Sequence, residues 1–271
     1  MLKRLIPILL LAFFQSGFIA VFGQERDSLN RVKKNNIQLN FGFIHSRLID
    51  DGYSKNLLFR GTNVKFGLGY GRETSKFIFS FLIEGSLGKI KSKSDNLPSD
   101  FYSIQPSLEY SRKIKDYLTW GKQSKLFAGL NLSSLNYFIR NEPVFDNARL
   151  LSIHGLYINI SNRMQLDERQ YLHFTYRLPT VVYVNRILWN GGASDLTYSD
   201  QEHLLKTLTT RGSFTYFAIF NNIELEASYT RRIGKNVDFI IFYKFRYFSS
   251  SEQASVHIYS NELLMSLKIF F

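Results

Sequence analysis

Residues 37–43 read Ile-Gln-Leu-Asn-Phe-Gly-Phe. Ile37, Leu39, Phe41 and Phe43 fall on one face, with Gln38, Asn40 and Gly42 on the other. The same alternation runs through 62–70, 77–87 and 102–110, and recurs at 125–138, 149–161, 170–184, 213–230, 237–248 and 256–271. A period of two is the signature of a strand with one apolar face. Only residues 200–208 (DQEHLLKTL) carry a helical hint. These ten segments are mostly long. A strand in a soluble domain averages about 5–6 residues, whereas a membrane-crossing strand needs about 9–11. After residue 24 no apolar stretch reaches the length a membrane-spanning helix requires.

The connections alternate in length. Gly71–Lys76, Ser161–Arg169 and Arg231–Asn236 are short, and Arg112–Ser124 is somewhat longer. Leu48–Leu57, Gly88–Asp100, Asn141–Asn147, Asn185–Gly212 and Ser249–Ser255 form the other, longer set. Short turns at one end and long loops at the other suit an up-and-down barrel whose termini lie on the short-turn side. In 213–230 the apolar parity slips from even (Phe214, Tyr216, Phe220) to odd (Ile223, Leu225, Tyr229). A β-bulge near Asn221-Asn222 explains this within one strand and gives ten strands. A hairpin there, with Val181–Trp189 promoted to a strand, gives twelve. Ten is preferred, because Ser213–Phe220 alone is too short to span.

The N-terminus has Lys3 and Arg4, an apolar run from Leu5 to Phe14, and small residues up to Gly23. That is the pattern of a secretory signal peptide, with cleavage expected after residue 23. Residues 24–35 are polar and are expected to be a flexible periplasmic lead-in to a barrel over 36–271. The last strand, NELLMSLKIFF, places Leu263, Met265, Leu267, Ile269 and Phe271 on one face. With its terminal Phe271, this resembles the assembly signal of bacterial outer-membrane β-barrel proteins, carried by Leu267, Ile269 and Phe271. The resemblance is to the class and extends over the whole chain. It implies a Gram-negative outer-membrane location, contact with outer-membrane lipid and lipopolysaccharide, and handling by the barrel-assembly machinery. The rival reading is a secreted β-sandwich, which would bring shorter strands and fewer aromatics.

Composition adjusts this picture. Phe (25) and Tyr (16) are abundant, and there is no Cys. That excludes disulfides, thiolate metal sites and a cysteine nucleophile. The net charge of +12 permits anionic partners, but the export signal and the lack of a known module argue against nucleic acid. If the apolar faces meet lipid, Lys65, Glu84, Glu109, His173, Arg177, Glu224, Glu226, Lys244, Arg246, Glu262 and Lys268 point into the lumen. Carboxylates and cations nearly balance there, which favours an ion-paired, largely plugged interior over a strongly selective pore. Around the short turns, cations such as Arg72, Lys113, Arg163 and Arg232 outnumber Glu73, Asp116, Asp167, Glu168 and Asp238. They read as a solvated basic rim.

No P-loop, GxSxG, HExxH or EF-hand loop is present, and no cofactor or metal is expected. Ser152 with His154, and Ser255 with His257, each share a strand face at the outer rim, with His45 at the end of the first strand. Ser and His side by side are nucleophilic hydrolase equipment. The chain lacks the His-x-Ser order of outer-membrane phospholipases and lipid A deacylases, and no match to the Asp/His sites of outer-membrane proteases is evident. The leading expectation is a non-enzymatic barrel with a structural, adhesive or limited transport role. A passive diffusion pore and an outer-leaflet lipid hydrolase are the alternatives.

Overall fold

The computed structural model describes residues 34–50, 58–93, 98–141, 147–190, 213–216, 220–250 and 256–271. The segment expected to be a signal peptide, the expected lead-in up to residue 33, Ser255 and most of the expected long connections lie outside the described residues. The strands are β1 (Lys34–Asp50), β2 (Leu58–Glu73), β3 (Phe77–Ser92), β4 (Pro98–Thr119), β5 (Lys122–Asn141), β6 (Asn147–Gln165), β7 (Gln170–Asn190), β8 (Ser213–Tyr216), β9 (Phe220–Arg232), β10 (Val237–Ser250) and β11 (Val256–Phe270). Neighbours in sequence pair antiparallel, except that β8 and β9 both pair with β7 and not with each other. β1 closes the sheet against β11, from Asn36↔Phe270 to Asp50↔Val256. Closure leaves no open edge, which long strands in a lipid environment require.

Eleven segments make ten staves, because β8 and β9 lie on the same ladder against β7. Tyr216 faces Val181, and Glu224 faces Arg177. Four steps along β7 therefore match eight along β8–β9, so the two segments share one stave and add no strand to the ten. β7 carries its own irregularity: Leu156 faces Val181, but Tyr157 faces Pro179. Thr180 is the extra residue, and its hydroxyl donates to the Leu156 carbonyl at 2.9 Å. Pro179 has no N–H to give a ladder, and bulges are where strand prolines are tolerated. Val181–Asn190 thus continues β7 and is not a separate strand, so the expected connection does not begin at Asn185.

One expected connection is corrected. Arg112–Ser124 is not a loop, since β4 and β5 run on to Thr119 and Lys122 and meet in the two-residue turn Trp120-Gly121. Both turn residues have positive φ, 49° and 73°, the requirement of a type I′ hairpin turn.

The outer surface carries a continuous apolar band. Leu39, Phe41 and Phe43 of β1, Phe66 and Leu68 of β2, Leu130 and Leu132 of β5, and Leu263 and Met265 of β11 are all exposed. On β3 the outward apolar run extends from Phe77 to Leu87. That is about 33 Å of strand at ~3.3 Å per residue. Tilted as barrel strands are, it covers roughly the 25 Å height of a lipid-facing band. Aromatic pairs lie toward the band's loop-side margin, Tyr102–Phe138 and Tyr247–Tyr259. Phe77–Tyr110 lies at the opposite one.

Candidate functional site: the barrel interior and its outer rim

The interior has three levels. Nearest the termini, buried Glu73 accepts from Lys268 Nζ at 2.6 Å and from Arg163 Nη1 at 3.1 Å. Fully buried Asp238 accepts from the Tyr171 hydroxyl at 3.1 Å and lies 3.7 Å from Arg232 Nε. The Arg163 guanidinium rests on the Tyr171 ring, 5.0 Å from its centroid. Glu73, Arg163 and Asp238 are therefore interior groups, and the sequence reading of them as solvated rim charges is corrected. The strand ladders run one or two residues farther than the apolar pattern, so residues assigned to turns still point inward.

Half-way along the barrel a continuous ionic chain crosses the lumen. Lys65 Nζ lies 2.6 Å from Glu262 and 3.0 Å from Glu84. Lys244 lies 3.3 Å from Glu84 and 4.0 Å from Glu262. Arg246 grips Glu224 through Nε and Nη2 at 2.9 and 2.8 Å, and donates to Gln105 Oε1 at 3.1 Å. Arg177 then bonds Glu224, Glu109 at 2.8 Å and Glu226 at 3.2 Å. The structure thus gathers Lys65, Glu84, Glu109, Arg177, Glu224, Glu226, Lys244, Arg246 and Glu262 into one network, with Lys268 in the level below. Across both levels the cations lie against carboxylates, as Lys65, Lys244, Arg246, Arg177, Arg163 and Lys268 do. Neutrality is what burial demands, since an unmatched charge in such a place costs several kcal/mol. A cavity of about 130 Å³ lies between the levels, lined by Gln38, Glu73, His173, Arg177, Glu226 and Lys268. It is polar and large enough for several waters.

Toward the loop end the inward side chains turn apolar. Leu48, Phe59, Ile90, Phe101, Ile153, Phe248 and Ile258 belong to one buried cluster with Tyr137, Val182 and Val184. Phe101, Ile153 and Phe248 are at most 2% exposed. This plug is absent from the sequence expectation. Its signal was available: at Ile44, Leu48, Phe59 and Ile90 the face that is polar lower down becomes apolar. At the same height the outward face becomes polar, with Arg47, Arg60, Lys89 and Lys91 exposed. On β1–β3 the barrel therefore reverses its inside and outside along its axis, while β10 and β11 present the Tyr247–Tyr259 pair at the same height. The termini half is built for lipid outside and charge within. The loop half is built for water outside and a packed core within.

The rim histidines are not arranged as the sequence suggested. Ser152 is fully buried, and its hydroxyl has no hydrogen-bond partner among the described residues. His154 Nδ1 instead meets Ser134 Oγ of the neighbouring strand at 2.7 Å, and its ring stacks on Tyr183. Ser134 stands directly opposite His154 in the β5–β6 register, where partners are about 5 Å apart, whereas Ser152 lies two positions along the same strand, about 7 Å away. His257 Nδ1 meets Ser249 Oγ at 2.9 Å, and His45 Nδ1 meets Thr62 Oγ1 at 2.9 Å. Three histidines spread round the rim thus make the same cross-strand bond to a hydroxyl. None of the described histidines hydrogen-bonds a carboxylate. Among the described residues these pairs have no orienting carboxylate, the third member of a hydrolytic triad. Among the described residues no group of three His, Asp or Glu is placed to hold a metal.

No protein-family model matches the chain, and no curated protein matches it by sequence. Solved structures do. The outer membrane protease OmpT from Escherichia coli superposes with a TM-score of 0.57 at 9% identity, covering 90% of this chain and 100% of that one. The Neisserial surface protein A aligns at a TM-score of 0.38 and 11% identity, covering 89% of this chain and 100% of that one. An outer membrane channel from Pseudomonas putida F1 aligns at 0.38 and 9%, covering 92% and 100%. At such identities the likeness to OmpT is one of fold. Closed by β1 against β11, with an apolar belt outside and matched charges within, the chain has the fold of the bacterial outer-membrane β-barrels.

Proposed function

We propose that the protein is a closed, non-conducting outer-membrane barrel that serves as a rigid mount for its loop end. The observation that carries this reading is the double seal of the lumen. The ionic network spans the middle, and the apolar plug fills the loop half with side chains rooted in the strands themselves. A plug built from strand residues cannot swing aside as an inserted loop can. The apolar belt and flanking aromatics support placement in a bilayer, and the termini then lie on the periplasmic side. The apolar core of the loop half would stiffen the part that stands clear of lipid, where segments 51–57, 142–146 and 191–212 emanate. This reading makes the role structural or adhesive, with no catalytic step.

Planar-bilayer recording of the refolded protein tests it. The expected result is a folded, heat-modifiable barrel that inserts without discrete current steps. Stable steps proportional to salt would overturn the closed reading and restore the pore.

A further inference from the structure

Just beyond the lipid-facing band, the outer surface of β1–β3 gathers positive charge. Arg47 stands directly opposite Arg60 across β1–β2, and Arg60 directly opposite Lys91 across β2–β3. Lys89 and Lys93 flank Lys91 at alternate positions, and all five side chains are exposed. Like charges face to face on adjacent strands destabilise a sheet. Inside this barrel the cations Lys65, Arg246 and Lys268 lie against carboxylates. Here the one carboxylate in register among the described residues is Asp100, opposite Lys89. The patch is also local. Going the other way round the barrel, Arg47 faces Tyr259, and Tyr259 faces Tyr247 with rings 4.7 Å apart. The cations thus occupy three strands, about 10 Å of circumference, and end at an aromatic pair.

Their height and direction identify the counter-charge. Arg47 lies four residues past lipid-facing Phe43, about 13 Å along the strand, and Lys89 lies two past Leu87. They point sideways over the lipid surface and away from the lumen. The anions at that depth are lipid phosphates. Arginine forks bind phosphate through paired N–H donors, lysine adds point charge, and a phosphate between them converts repulsion into attraction. We infer that Arg47, Arg60, Lys89 and Lys91 form a binding site for the phosphates of an outer-leaflet glycolipid of the lipopolysaccharide class, seated against β1–β3. This rests on the membrane reading proposed above, with the loop end outward.

The test uses the full-length barrel in zwitterionic detergent, titrated with bis-phosphorylated lipid A and read by native mass spectrometry. The Arg47→Gln/Arg60→Gln/Lys91→Gln variant is expected to bind roughly a hundredfold more weakly, about a factor of five per cation. The Lys115→Gln/Lys122→Gln/Lys235→Gln variant, neutralised at the opposite rim, should bind as the parent does. Lipid A stripped of its phosphates should bind the parent as weakly as it binds the first variant. In lipid-free detergent the first variant should resist heat at least as well as the parent, because repulsion has been removed. Equal binding by parent and first variant, equal binding of the stripped lipid, equal loss in both variants, or competition by millimolar inorganic phosphate would each overturn the site. A parent chain that fails to enter vesicles defeats the membrane reading. A chain that inserts yet binds both lipids alike defeats this inference alone.

Discussion

Glu84 shows what a single side chain carries in this interior. It is 2% exposed and lies within 3.3 Å of both Lys65 and Lys244, with Asn40 Nδ2 donating to its other oxygen at 3.2 Å. Glu84→Leu strands part of two buried positive charges, and urea unfolding of the variant in vesicles should show a loss of about 3–5 kcal/mol. Removing Lys65 as well, as Lys65→Met/Glu84→Leu, leaves Lys244 with Glu262 at 4.0 Å and should recover most of that loss. If the double variant is no better than the single one, the network is held by packing and not by charge balance. The rim histidines make the opposite point. Their pairings follow from register, so His154→Gln, which can still meet Ser134, should leave folding unchanged.

At the scale of elements, the β4–β5 hairpin carries a visible compromise. Trp120 sits at φ 49°, where bulky side chains are strained, and it is 79% exposed. Trp120→Asn places a residue suited to a type I′ turn there. It should stabilise the detergent-solubilised barrel by about 1 kcal/mol, read as a higher urea midpoint. Gly121→Val, at φ 73°, should lower it by a similar amount. The bulges act at the same scale. Thr180 adds one residue to β7, and from there on the inward positions are Val182 and Val184. A local insertion thus recruits two residues to the plug and turns Tyr183 outward, where it meets Phe214 with rings 5.0 Å apart.

For the whole molecule, the reversal of faces along the axis governs stability and permeability together. The plug is redundant, since fourteen buried residues among those described share it. Phe248→Ala should therefore cost about 3–5 kcal/mol through the cavity it leaves, while the barrel remains electrically silent in a planar bilayer. Conductance in that single variant would show that the seal is thin. The ionic level beneath it, spread over β2, β3, β4, β7, β9, β10 and β11, ties distant staves across the lumen.

The period of two, with Leu39, Phe41 and Phe43 against Gln38 and Asn40, determined the strands, their number and the inward set from Lys65 to Lys268. One-dimensional alternation records which solvent each face meets. The pattern also revealed the parity slip between β8 and β9, since such a slip leaves its trace in the chain, but its place near Asn221-Asn222 is corrected, because Phe220–Arg232 pair with β10 without a break. Tertiary structure alone decided which charges meet, because Lys65 and Glu262 are 197 residues apart and only closure brings β2 and β11 around one lumen. It alone decided that Glu73 and Asp238 are interior, that Ser134 and not Ser152 faces His154, and that Arg47, Arg60 and Lys91 stand in one row. Those facts depend on register, and register is a relation between strands that no single strand's sequence contains.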